Sequence, residues 1–304
     1  MQLFTFLLVY PLLWFLSILP MRVLFALSDL IYILLYYIIG YRKKVVRHNL
    51  KLVFPEKESK DLLEIEKKSI RHFIDTFMEM IKTFNISERA IMKRITIENP
   101  EQIQRLIKSN KSVIIISSHY ANWEWAVHLM VKLVDCQGFG SYTKIGNKYF
   151  EEKIKKSRGK FGANLVLSSR FVRQIQKNDD ENIQAIYGFL SDQSPPLRKV
   201  NYWNNFMGIR VPIITGHELM AKRFDYPVIY LQTNRIKRGY YTSKIIVLTE
   251  KPRELPDYQI TDKFIHILEG QIRENPEYYF WTHNRFKHMG KEKYDKSSKS
   301  KVES

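Results

Sequence analysis

SVIIISSHYANWEWAVHLMVKLV, residues 112–134, is the stretch on which the fold turns. Val113 to Ile116 are apolar, β-branched and bounded by polar residues, which predicts a short buried strand. From about Asn122 onward the apolar side chains Trp123, Val127, Met130 and Val134 fall three to four apart, one face of a helix. The pattern therefore places His119 in the turn after a buried strand and Glu124 in the first turn of the helix that follows. Open α/β sheets bind ligands at the carboxyl ends of their strands. A histidine there can take a proton near neutral pH, and a carboxylate on its other nitrogen fixes the tautomer and stabilises the imidazolium. The spacing thus suggests His119 as base and Glu124 as its orienting acid, without a nucleophilic serine. A hydrogen-bonded core histidine and a glutamate favoured by the helix dipole would give the same letters.

Composition narrows the class. The chain has 304 residues, of which 45% are hydrophobic, enough for one large core. Lys and Arg number 49 against 31 Asp and Glu, a net charge of +18 that calls for an anionic partner. Nucleic acid is disfavoured, because no zinc spacing, basic heptad or recognition motif appears. A single cysteine, Cys136, rules out an internal disulfide and offers no metal cluster. Neither a metal nor a cofactor is expected.

Working outward, residues 1–41 are the most apolar part of the chain. Leu3 to Leu19 carries no charge and is broken by Pro11, and Met21 to Tyr41 holds only Arg22 and Asp29. Neither run is an ideal span of about twenty apolar residues, and a cleaved signal peptide is disfavoured because a basic start and a cleavage site are missing. Arg42, Lys43, Lys44 and Arg47 follow, a cationic flank that prefers the cytoplasmic side. The expectation is an anchor, as one spanning or two interfacial helices, with a helical hairpin packed on the domain as the alternative. Residues 45–95 read as amphipathic helix. Ile183 to Leu190 reads as a second buried strand ending in Ser191-Asp192-Gln193, again on the ligand-binding edge. Residues 227–233 and 243–249 read as strands that could pair. Tyr202, Trp203, Phe206 and Met207 form an apolar loop that could line a groove, dip into a membrane or pack inward. Arg158, closing a lysine-rich helix, can hold an oxyanion or a phosphate, and Lys144 after the third strand is a weaker candidate.

His119-Tyr-Ala-Asn-Trp-Glu124 resembles the H-x4-D/E signature of the lysophospholipid acyltransferase superfamily. Five further stretches, RHNLKLVFPE (47–56), KKSRGKFGANLV (155–166), LSDQSPP (190–196), FMGIRVP (206–212) and YYFWTHNRFK (278–287), resemble in order its lipid A secondary (lauroyl/myristoyl) acyltransferase branch. The last departs from the usual run at Asn284, where Arg is common. The resemblance implies an α/β fold, a central mixed sheet flanked by helices, with an amino-terminal membrane-anchoring segment. It divides the chain into an anchor (1–44), a catalytic domain (45–289) and a disordered basic tail (290–304). It implies O-acyl transfer from an acyl carrier protein thioester, or acyl-CoA, to a hydroxyl of a phosphorylated glycolipid, a lipid A precursor, on the cytoplasmic side of the bacterial inner membrane. His119 and Glu124 would be catalytic; Arg158, Asp192, Gln193 and Lys144 would serve the oxyanion or the substrate. The same chemistry on an aminolipid, a lysophospholipid or another glycolipid, and a non-catalytic protein that binds anionic lipids, remain as alternatives.

Overall fold

A computed structural model describes residues 1–292, apart from the side chains of 127–129; most of the 290–304 tail lies outside the described residues. Four helices come first: α1 (Gln2–Ile18), α2 (Met21–Ile33), α3 (Lys43–Val53) and α4 (Ser59–Lys82). The strands are β1 (Ile95–Ile97), β2 (Val113–Ser117), β3 (Gln137–Tyr142), β4 (Ala163–Leu167), β5 (Ala185–Leu190), β6 (Trp203–Phe206), β7 (Ile209–Pro212), β8 (Val228–Lys237) and β9 (Tyr240–Thr249). Between them run α5 (Glu88–Met92), α6 (Glu101–Ile107), α7 (Trp123–Met130), α8 (Lys148–Gly159), α9 (Phe171–Asp180), α10 (Gly216–Phe224) and, last, α11 (Gln259–Glu274).

Seven strands form one sheet in the order β1-β9-β8-β2-β5-β3-β4. Only β8 and β9 pair antiparallel, so the sheet is mixed and its centre is parallel. All five residues of β2 are buried, because helices cover both faces of a parallel strand. The fold class and the pairing of β8 with β9 are as expected. Strand β4, which begins inside the basic block at 155–166, is an element the local pattern does not announce. The apolar loop near 203 is a hairpin, β6–β7, closed by Met207 and Gly208 at φ 54° and 81°, the two positive angles that a tight two-residue turn requires. Its Trp203, Phe206 and Met207 are buried, so the inward-packing alternative holds.

The amino-terminal helices lie on the domain. Met21–Ile39, α2 with the π-helical turn after it, is long and apolar enough to cross a membrane by length and composition. Near its middle, however, Asp29 meets Arg71 and Arg238, both at 2.8 Å, and Ser28 donates to Asp75 at 2.7 Å. Lys82 at the end of α4 donates to the carbonyls of Ser17 and Leu19, capping α1 where its last carbonyls lack partners. The outer faces stay bare: Leu3, Phe4, Leu7 and Leu8 on α1, and Leu30, Ile33 and Ile38 on α2 and its extension, are exposed.

Candidate active site

The site grows from the register of β2 and β5. Ser117 stands opposite Leu190 across this parallel pair, and two residues further along each chain stand His119 and Asp192. Their side chains meet: His119 Nδ1 lies 2.8 Å from Asp192 Oδ1. Asp192 is 1% exposed and His119 16%. Burial opposes the charge on Asp192, but the charge and hydrogen bond of His119, with backbone N–H donors, outweigh it and hold the carboxyl below its ordinary range. An ionised carboxylate only accepts. Nδ1 therefore carries the hydrogen, and in the neutral form of the ring Nε2 keeps the lone pair that can take a proton.

This corrects one expectation. The carboxylate on the histidine's Nδ1 is Asp192, not Glu124. Position 124 sits in the first turn of α7, and its carboxylate forks with Arg158 of α8, Nε to Oε2 at 2.9 Å and Nη2 to Oε1. Two expected site residues, Glu124 and Arg158, are thus brought together, and two others, His119 and Asp192, form a separate pair. Gln193 is half-buried where the loop after β5 begins, and Lys144 is exposed just past β3; both lie on the carboxyl edge of the sheet, outside these two pairs.

Three supports of the turn were not legible beforehand. Residues 278–280 run alongside it: Phe280 N donates to His119 O at 3.1 Å, Ala121 N to Tyr278 O at 3.0 Å, and Tyr120 bridges Tyr279. Ala121 has φ 51°, a left-handed conformation that a non-glycine residue keeps only when its surroundings enforce it. Asn122 accepts from Trp125 N, opening α7, and donates to Glu79 at 2.6 Å. Glu79 also accepts from Tyr241, yet full burial pushes it up to about 7. The imidazole itself packs between Trp123 and Phe280, with ring centroids 5.0 and 5.7 Å away.

Beside Trp123 opens an apolar slot of about 120 Å³. Ile115 and Ser117, Ile186 and Gly188, Gly138 and Gly140, and Ala163 and Leu165 line it from β2, β5, β3 and β4. Each pair is two apart on its strand, so all eight share one face of the sheet. Glycine at 138, 140 and 188 and alanine at 163 leave a trough where larger residues would fill it. Glu124 and Arg158 stand at the carboxyl end of the strands, while Val131 and Gly138 close the other end. A Cβ placed on Gly138 would fall 2.5 Å from Val131 Cγ2.

Elsewhere the carboxyl-terminal block is structural. Asn49 of α3 donates to the carbonyls of Trp281 and His283, each at 2.9 Å. Arg285 is 1% exposed, bonds to Pro212 O and lies 4.9 Å over the ring of Phe206. Cys136, half-buried, has its thiol pushed up to about 11 by burial, which leaves it a poor nucleophile.

Comparison with known proteins agrees with this architecture. The family described as bacterial lipid A biosynthesis acyltransferase matches residues 1–288. The lipid A biosynthesis palmitoleoyltransferase of Escherichia coli (strain K12) is 22% identical over 256 residues, covering 81% of this chain and 79% of that protein. The lipid A biosynthesis acyltransferase of Shigella flexneri matches to the same extent. A match that runs through both pairs, the slot and the amino-terminal helices admits one conclusion: this chain belongs to the bacterial lipid A biosynthesis acyltransferase family, and is an acyltransferase of lipid A synthesis.

Proposed function

We propose that the protein moves a fatty acyl chain from a thioester, carried by acyl carrier protein, to a hydroxyl of a phosphorylated lipid A precursor. The observation that carries this reading is the His119–Asp192 pair, one ring away from an apolar slot with an arginine at its mouth. In this mechanism the acyl chain lies in the slot with its thioester carbonyl near Arg158. His119 Nε2 removes the proton of the acceptor hydroxyl, and Asp192 stabilises the imidazolium that results. The oxygen attacks the carbonyl carbon, and the tetrahedral oxyanion is met by Arg158. The C–S bond then breaks, the thiolate takes the proton from His119, and the ester leaves. Glu124 uses the Nε/Nη2 edge of Arg158 and so aims the guanidinium at the carbonyl.

The anchor in this reading, residues 1–44, lies along the membrane instead of crossing it. Burying Asp29 at the centre of a bilayer would require breaking two ion pairs to the domain, while the bare leucine and phenylalanine faces suit an interface. The basic surface then serves the anionic cytoplasmic leaflet, an acidic carrier and a phosphorylated acceptor together, with residues 45–289 as the catalytic unit.

The test is acyl transfer in detergent, with carrier thioesters of several lengths and a phosphorylated lipid A precursor, read by mass spectrometry. We expect a gain of one acyl group, reduced about a thousandfold or more in His119→Ala. Folded protein that gives no product with any chain length would sink the lipid A reading and send the search to aminolipids and lysophospholipids.

A further inference from the structure

The catalytic slot is not the largest opening. A polar cleft of about 450 Å³ lies between α4, the β8–β9 hairpin and the segment at Glu277 and Tyr278. Its cationic walls come from two elements. Lys68 and Arg71 fall on one face of α4, together with Asp75 a turn later; Arg235, Lys237 and Arg238 come from the end of β8 and its turn. These five cations meet three carboxylates, Asp75 and Glu277 in the cleft and Asp29 from α2, so the charge does not balance.

The imbalance is local. Arg238 is fully engaged, bonding to both Asp29 and Asp75, and Arg71 is held by Asp29. Arg235 is different: its side chain is only 13% exposed, yet its nearest carboxylate, Asp75, is 3.6 Å away and already claimed by Arg238. Its Nη1 instead donates to Nδ1 of buried His72 at 3.1 Å, and its guanidinium lies over Tyr278. Burial first, and then Arg235, hold His72 down at about 3, so this imidazole is a neutral acceptor and adds no negative charge. A shielded guanidinium short of a counter-charge is costly unless an anion completes it. Lys68 and Lys237 have no carboxylate within ion-pair distance among the described residues, and both are exposed at the cleft.

We infer that this cleft is a phosphoryl-binding site, with Arg235 at its floor and Lys68 and Lys237 closing on the anion. Arginine offers a fork to phosphate oxygens, and the two ammonium groups add point charges. The site is separate from the proposed reaction: His72, Tyr278 and Trp123 stand between the cleft and His119. Asp29 ties its edge to α2, so an occupant would brace the amino-terminal helix against the domain.

Titration calorimetry on the full chain in an uncharged detergent tests the site without any acyl transfer. The probes are inorganic phosphate and dihexanoyl phosphatidic acid, each against the parent, the double variant Lys68→Gln/Lys237→Gln and Arg235→Gln. The expected result is binding by the parent that weakens about tenfold or more in the double variant, whose two exposed lysines do not hold the fold. Binding of both probes would assign the site to phosphoryl groups in general; binding of phosphatidic acid alone would assign it to a lipid headgroup. No binding of either probe, or binding that the double variant leaves unchanged, overturns the inference.

Discussion

Two acid–base pairs stand side by side at the edge of this sheet, and they are built on opposite terms. His119 and Asp192 follow the ends of neighbouring parallel strands, the carboxylate buried and the imidazole half-buried, with one ring nitrogen held by one carboxylate oxygen. Glu124 and Arg158 come from two helices, keep 13% and 34% of their side-chain surface, and engage through two bonds. The first arrangement suits proton transfer, since one partner can change its charge. The second suits a fixed field, since the guanidinium stays charged at any working pH. What separates them is the strand register, which delivers Asp192, and not Glu124, to the histidine.

Removing each carboxylate is the sharpest way to break the contrast. Asp192→Asn should lower kcat about a hundredfold to ten-thousandfold and move the acid limb of the pH–rate profile, because the imidazolium loses its partner. Glu124→Gln should cost about tenfold to a hundredfold and leave the shape of the profile unchanged, as only the aim of Arg158 is loosened. If Glu124→Gln were the variant that reshaped the profile, the two pairs would have exchanged roles. A smaller effect should appear at the closed end of the slot. Gly138→Ala pushes a methyl group toward Val131 and should turn preference to shorter acyl thioesters, roughly tenfold in relative rate per two carbons. Val131→Ala should favour longer ones. Equal preference in both variants would mean that the chain lies elsewhere.

The smallest effect concerns stability, far from both pairs. His217 is fully buried beside Thr261, and burial holds it down at about 3. The unfolded chain takes up its proton near 6.5, so the folded state loses stability as pH falls from about 6.5 toward 3. At pH 5 this amounts to about 2 kcal/mol, and His217→Gln should remove that part of the fall in Tm between pH 7.5 and 5. A variant whose Tm falls as steeply as the parent's would assign the acid sensitivity to His72 and His283, which burial also depresses.

These results show where a sequence speaks and where it is silent. The strand, turn and helix around His119 were legible because their signals are local: a β-branched run, then apolar residues at helical spacing. The partner of His119 was not, since Asp192 lies 73 residues away and reaches it through a strand pairing that no local pattern encodes. The slot was hidden for a related reason. Gly138, Gly140 and Gly188 look like weak points of separate strands until the sheet aligns them on one face. The amino terminus reads as an anchor from its hydrophobicity and cationic flank, with a packed hairpin as the alternative, and nothing local says what Asp29 would meet. Its partners Arg71 and Arg238 lie 42 and 209 residues away.

The strip from Tyr278 to Phe280 has a consequence for the order of events in the cell. It is made after every strand of the sheet, yet it clamps the backbone of the turn that carries His119. Domains form from the amino terminus during synthesis, so α1 to α4 are made and ready to settle long before that clamp exists. A growing chain would then hold those helices before it holds a working turn. The helices that dock on the domain are thus made before the segment that finishes the histidine turn.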